Sequence, residues 1–156
     1  MKAIVKSFFV KESGVFSAGN APAMRSALIG VLFGHDDAKL QSFVNTNTRL
    51  THNDPKAYYG ALVVAKATYL SATNKQDEFF KVMYSLVKDE EFSALLKEVE
   101  NNLELSSLEF AKKLGLEKGV GGYIYQTLPI VLHSWLRNRD NFSRSHRSCV
   151  GVYMRG

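Results

Sequence analysis

The stretch Ser17-Ala18-Gly19-Asn20-Ala21-Pro22-Ala23-Met24-Arg25 combines the residue types best suited to holding a ligand. Gly19 permits a positive φ or a close backbone approach. A helix that starts just after it offers free N–H groups and a positive dipole end, which suit a phosphate or pyrophosphate. Asn20 can donate to a ligand oxygen, and Arg25 follows about one turn later. An ordinary capped helix carrying a surface arginine fits the same pattern. His52 stands before a second helix cap, where an imidazole can face a cleft, although a lone histidine in a turn is commonly solvated or capping.

Other clusters are weaker. His35-Asp36-Asp37 looks metal-like, but adjacent residues at a helix start do not converge easily on one ion, and capping accounts for them better. Asp89-Glu90-Glu91 reads as a helix start with acids near the positive dipole end. His133 sits beside core positions and reads as structural. Ser148 and Cys149 lie near His146 in sequence only, which makes no triad.

The elements that must position these residues are helices. Met24, Ala27, Leu28, Val31 and Leu32 fall at i, i+3, i+4, i+7 and i+8 and predict one buried stripe. Asn20 is the expected N-cap, with Pro22 tolerated in the first turn and Gly34 closing the helix. Asp36 or Asp37 caps a second helix in which Leu40, Phe43 and Val44 share a face. Asp54-Pro55 opens a third, whose Ala57, Gly60, Ala61, Val64, Ala65 and Thr68 imply close approach of another backbone. Amphipathic helices follow around Phe79–Val87 and Phe92–Leu103, and a shorter one near Leu108–Leu114 ends at Gly115. Gly119, Gly121 and Gly122 form a loop before a last helix with Ile124, Leu128, Val131, Leu132 and Trp135 at core spacing and Pro129 inside it. Met1–Val10 carries an apolar cluster, read as a short helix or an extended lead-in, and Lys11–Gly19 reads as a loop. No segment shows strand alternation, so an all-α chain is expected.

The totals set bounds. At 156 residues, 46% hydrophobic and 22% charged, the chain suits one globular core. The apolar run Ala27–Phe33 is far short of the roughly 20 residues needed to span a bilayer, so no membrane partner is expected. A single cysteine, Cys149, excludes an intramolecular disulfide and, with no secretory signal, suggests the cytoplasm. The net charge of +5 owes much to arginines in the last twenty residues, while lysines and glutamates interleave elsewhere. Nucleic-acid binding is therefore not expected.

Three ordered stretches resemble the ADP-ribosylglycohydrolase family, which includes the dinitrogenase reductase-activating glycohydrolases. Phe16-Ser17-Ala18-Gly19-Asn20-Ala21-Pro22-Ala23-Met24-Arg25 is similar to its GNGxxMR motif. Leu50-Thr51-His52, Pro55 and Gly60-Ala61 resemble LTHxxPxxxxGA, and Gly122-Tyr123-Ile124 through Thr127-Leu128-Pro129 resembles GYVxxTxP. The resemblance implies an all-α fold and cleavage of the bond between ADP-ribose and an acceptor, using two magnesium or manganese ions. It implies that Gly19 and Asn20 lie against the ADP-ribose phosphates and ribose, that Phe16, Ser17 and His52 line the pocket, and that Met24 and Arg25 anchor the loop. Ala21 departs from the second glycine of the motif, and its methyl group narrows the backbone's approach to a ligand. The family's acidic motifs, an early TDDT type and a late GGDTDT, are absent. Two divalent ions need several convergent carboxylates, so the chain is expected to bind no metal and to be inactive alone. An ADP-ribose-binding module, a remnant of a broken gene, and half of a split enzyme whose partner chain supplies the aspartates are the alternatives. ADP-ribose or an ADP-ribosylated protein is the expected partner. Apolar faces left without neighbours imply self-association.

Residues 1–143 are thus expected to be part of the family's helical domain. From Arg144 onward no helical periodicity is evident, and residues 144–156 are expected to be an out-of-frame or disordered tail. A permitted back-translation shifted forward by one nucleotide reads Glu-Ala-Ile-Glu-Ala-Val-Leu-Ala-Cys-Ile-Cys-Gly-Gly, an apolar-periodic helix ending in the double glycine that opens the missing motif.

Overall fold

A computed structural model describes residues 14–139 and 141–153, and the apolar lead-in expected at residues 1–10 lies outside them. The helices are α1 (Ala21–Phe33), α2 (Asp37–Arg49), α3 (Pro55–Ala72), α4 (Phe79–Leu86), α5 (Glu90–Glu100), α6 (Ser107–Lys113), α7 (Ile124–Arg137) and α8 (Phe142–Tyr153), with a short 3-10 turn at Gln76–Glu78. There is no strand among the described residues, and the fold is all-α. The chain divides into two compact units, one up to Lys75 and one from Gln76 onward.

In the first unit the predicted caps form. Asp36 accepts from the Lys39 N–H at 3.0 Å to start α2, and Asp54 accepts from the Lys56 N–H at 2.8 Å to start α3, with Pro55 as its first residue. Each such cap stabilises its helix by about 1 kcal/mol. Gly34 is the C-cap of α1. Asn20 occupies the N-cap position of α1, but its side chain makes no capping hydrogen bond.

The buried face of α1 is not the one that apolar spacing predicts. Ala23, Ser26 and Gly30 are buried, whereas Met24 is 77% exposed, Leu28 67%, Val31 51% and Leu32 55%. The reason is backbone proximity to α3. A Cβ on Gly30 would lie 1.9 Å from the Ala65 carbonyl oxygen, and one on Gly34 would lie 2.2 Å from Tyr69 Cβ. Helices this close exclude large side chains from the contact, so the small residues of α1 face α3 and the large ones face outward. The close approach that the small residues of α3 imply is thus present at Ala65. Leu40 and Val44 of α2 are fully buried as expected, while Phe43 is partly exposed and stacks on Phe33 with ring centroids 4.1 Å apart. The buried Lys66 ammonium donates to the Gly34 carbonyl and to Asp37, each at 2.7 Å, tying the end of α1 to the start of α2.

The second unit packs by bulk. Phe79, Met83, Phe92, Leu96, Phe110 and Ile130 are fully buried, and Phe79 meets Trp135 edge-on at 5.4 Å. Asp89 caps α5 by accepting from the Phe92 N–H at 2.7 Å. Ser106 and Glu109 form a reciprocal capping box at the start of α6. Gly115, at φ 72°, follows the end of that helix. His133 is structural as expected. It is fully buried, stacks on Phe110 at 4.4 Å, and donates from Nε2 to the Asn102 carbonyl at 2.9 Å.

The last segment differs from the sequence reading, because Phe142–Tyr153 is helical rather than irregular. Ser145, Ser148 and Cys149 are partly buried and Val152 is only 2% exposed. They fall at i, i+3, i+4 and i+7, a helical face built from small side chains that a search for large apolar residues passes over. This face belongs to a helix that packs against α6 and α7. Burial pushes the Cys149 thiol pKa up, partly opposed by a hydrogen bond with Ser134.

Candidate functional site

The loop at Gly14–Asn20 and the turn between α2 and α3 are built onto each other. Val15 pairs with His52 in a short parallel bridge. The Val15 N–H donates to the Thr51 carbonyl at 3.0 Å, and the Asn53 N–H returns to the Val15 carbonyl at 2.8 Å. The Asn53 side-chain amide donates to the Gly14 carbonyl at 2.6 Å. Two sequence-predicted site residues, Gly19 and His52, meet as a result. A Cβ on Gly19 would lie 2.7 Å from His52 Nε2 and 3.5 Å from Ser17 Oγ. A side chain at Gly19 would require the imidazole to shift.

Around this contact, Ser17, Gly19, Asn20 and His52 are half-buried, while the Phe16 side chain is 81% exposed. The Asn20 amide, unused as a cap, adds hydrogen-bonding capacity at the start of α1. Arg25 does not point into an open cleft. Its Nε donates to Asn47 Oδ1 at 3.3 Å, and one terminal nitrogen donates to the Asn47 carbonyl at 3.1 Å and to Thr51 Oγ1 at 2.9 Å. Arg25 thus holds the turn on which the loop rests. Met24, expected as a second anchor, is instead among the most exposed residues.

The sequence reading placed Thr51 in the LTH-like stretch but gave it no role, and it did not single out Asn47 or Asn53 as parts of this arrangement. Thr51 carries only its place in the LTH-like stretch as a sequence-level signal, and Asn47, near the end of α2, carries none. A cavity of about 250 Å³ borders the same turn, lined by Asn45, Thr48, Asn53, Asp54, Tyr58 and neighbouring side chains.

His35 is exposed beside the Asp36 cap, and Asp89 serves its helix, so neither acidic cluster forms a site of its own. Among the described residues no three His, Cys, Asp or Glu side chains converge as a metal site would require.

A loop built on a glycine-histidine contact at a helix start is the geometry that the GNGxxMR-like and LTH-like stretches share. The family model described as ADP-ribosylglycohydrolase matches residues 2–152, a range that takes in most of α8. The chain is 28% identical over 145 residues to the ADP-ribosylhydrolase ARH3 of Gallus gallus. That alignment covers 80% of this chain and 39% of the relative, so the chain spans less than half the relative's length. With the match running through nearly all of its sequence, the chain belongs to the ADP-ribosylglycohydrolase family.

Proposed function

We propose that this chain binds ADP-ribose, free or attached to a protein, through the Gly14–Asn20 loop and His52, and that it does not hydrolyse the glycosidic bond on its own. The observation that carries the reading is the contact between Gly19 and the His52 imidazole, which sets a donor side chain beside a loop at a helix start. Ser17, Asn20 and the first N–H groups of α1 surround that point, and helix starts favour phosphate oxygens. Phe16 offers an exposed ring for the flat face of a base. Arg25 is engaged by Asn47 and Thr51, so its role here is to support the loop's seat.

Hydrolysis in this family depends on metal ions, which polarise the substrate and activate water. The described residues do not supply that donor set, since none of their acids and histidines group in threes. Carboxylates from a separate polypeptide would be needed to complete a hydrolytic site. No helix among the described residues is long and apolar enough to cross a membrane, and the single cysteine suits a reducing cytoplasm.

Calorimetry with ADP-ribose tests the binding. Saturable heat and an upward thermal shift are expected, and Gly19→Ala should weaken binding about tenfold or more because the added methyl collides with the His52 ring. An absence of both heat and thermal shift rejects the reading. An assay of ADP-ribose release with magnesium should give no turnover for the chain alone, and turnover there rejects the inactivity.

A further inference from the structure

A single hydroxyl connects Arg25 to His52. The Arg25 guanidinium donates to Thr51 Oγ1 at 2.9 Å, and the same oxygen lies 2.8 Å from His52 Nδ1. A guanidinium has donors only and keeps its charge at every accessible pH. The direction of the first bond is therefore fixed, with Thr51 Oγ1 as acceptor. The hydroxyl has one hydrogen to give and a second lone pair left, and of these two partners only His52 Nδ1 can accept that hydrogen. A neutral imidazole that accepts at Nδ1 carries its own proton on Nε2. Nε2 is the atom that faces Gly19.

We propose that Arg25 and Thr51 are positioning residues that hold His52 as its Nε2–H tautomer, a neutral hydrogen-bond donor directed to the Gly19 side of the loop. Asn47 fixes the start of this relay. Its Oδ1 and carbonyl both accept from Arg25, while its Nδ2 faces Ser26 Oγ at 3.5 Å. Held in this way, His52 presents a proton to an acceptor oxygen of a phosphate, ribose or carbonyl group. Nε2 then has no lone pair for a metal ion and cannot serve as a base. That the oxygen belongs to ADP-ribose rests on the function proposed above, but the tautomer is a property of the free protein.

Long-range proton–nitrogen correlation on the nitrogen-15-labelled full chain, at a pH where imidazole is neutral, reads the tautomer directly. His52 should show a protonated Nε2 and an unprotonated Nδ1. Exposed His35 in the same chain serves as the reference for an unconstrained ring. Thr51→Val should move the His52 signals toward the His35 pattern, and Thr51→Ser should restore the single tautomer. ADP-ribose affinity of Thr51→Val should fall about tenfold, as expected for loss of one well-oriented hydrogen bond. A wild-type spectrum with the proton on Nδ1 overturns the proposal, as does a His52 pattern unchanged by Thr51→Val. The wild-type and Thr51→Ser spectra decide the matter even where Thr51→Val fails to fold. If the tautomer is as described and ADP-ribose leaves the His52 signals unmoved, the positioning stands and the ligand assignment falls.

Discussion

The α1–α3 contact of the first unit and the ring-filled interior of the second use side chains of opposite size. In the first, α1 meets α3 through Ala23, Ser26 and Gly30, and Gly30 lies against the Ala65 backbone itself. In the second, Phe79, Phe92, Phe110 and Met83 fill the interior, with Trp135 edge-on to Phe79. Packing by small residues brings backbones together and turns the large side chains of α1 outward. Packing by rings keeps backbones apart and draws large side chains in. The first arrangement is vulnerable to added atoms, the second to removed ones.

Substitutions of opposite kind should expose that contrast. Phe110→Ala removes a fully buried ring that also stacks on His133, and urea unfolding should show a loss of about 3–5 kcal/mol. Gly30→Ala adds a single methyl, yet no rotamer change can move it away from a backbone oxygen 1.9 Å distant, and about 3 kcal/mol or more should be lost. A cost below about 1 kcal/mol for Gly30→Ala would show that α1 and α3 can separate freely, and the contrast would break.

A smaller effect should come from pH. Burial holds the His133 pKa below its ordinary value of 6.5, helped by the nearby Arg137 charge and opposed by the Asn102 carbonyl and Glu104. The unfolded chain then takes up a proton more readily than the folded one. Stability from this source is fully present above about pH 6.5 and declines as pH falls through that value toward the folded pKa. Urea midpoints measured from pH 7.5 down to 5.5 should fall, and His133→Gln should flatten the decline. A decline equally steep in the variant would assign it to other groups.

The smallest effect on stability is expected where α1 faces outward. Leu28→Glu should change the unfolding free energy by no more than about 0.5 kcal/mol, because Leu28 is 67% exposed. It should nevertheless raise the monomer fraction seen by light scattering, since Met24, Leu28, Val31 and Leu32 form an exposed apolar stripe. An unchanged mass distribution would rule out this stripe as the cause of any self-association.

The contrast also explains which parts of the fold could be read from the sequence. Caps depend on one residue and its immediate successors, so Asp36, Asp54 and Asp89 are legible without knowledge of tertiary contacts. The ring-packed helices are legible as well, because large apolar residues at helical spacing are their core. The buried face of α1 was not, since Leu28 and Val31 outweigh Ser26 and Gly30 on any count of apolar side chains. The Ser145, Ser148, Cys149 and Val152 face of α8 escaped for the same reason. Within the site, Gly19 and His52 were legible from their motifs, but their mutual contact and the place of Asn47, Thr51 and Asn53 depend on how two helices return the chain upon itself.

The bridge between Val15 and His52 has a kinetic consequence. Its two backbone hydrogen bonds join segments separated along the chain by the whole of α1 and α2. Each bond closes a long loop of chain, so this corner is expected to assemble after the local caps. The amide hydrogens of Val15 and Asn53 then act as clocks for the corner, exchanging with solvent only when it opens. A ligand seated there would slow those two clocks by favouring the closed form, while leaving amides of the ring-packed unit at their own pace.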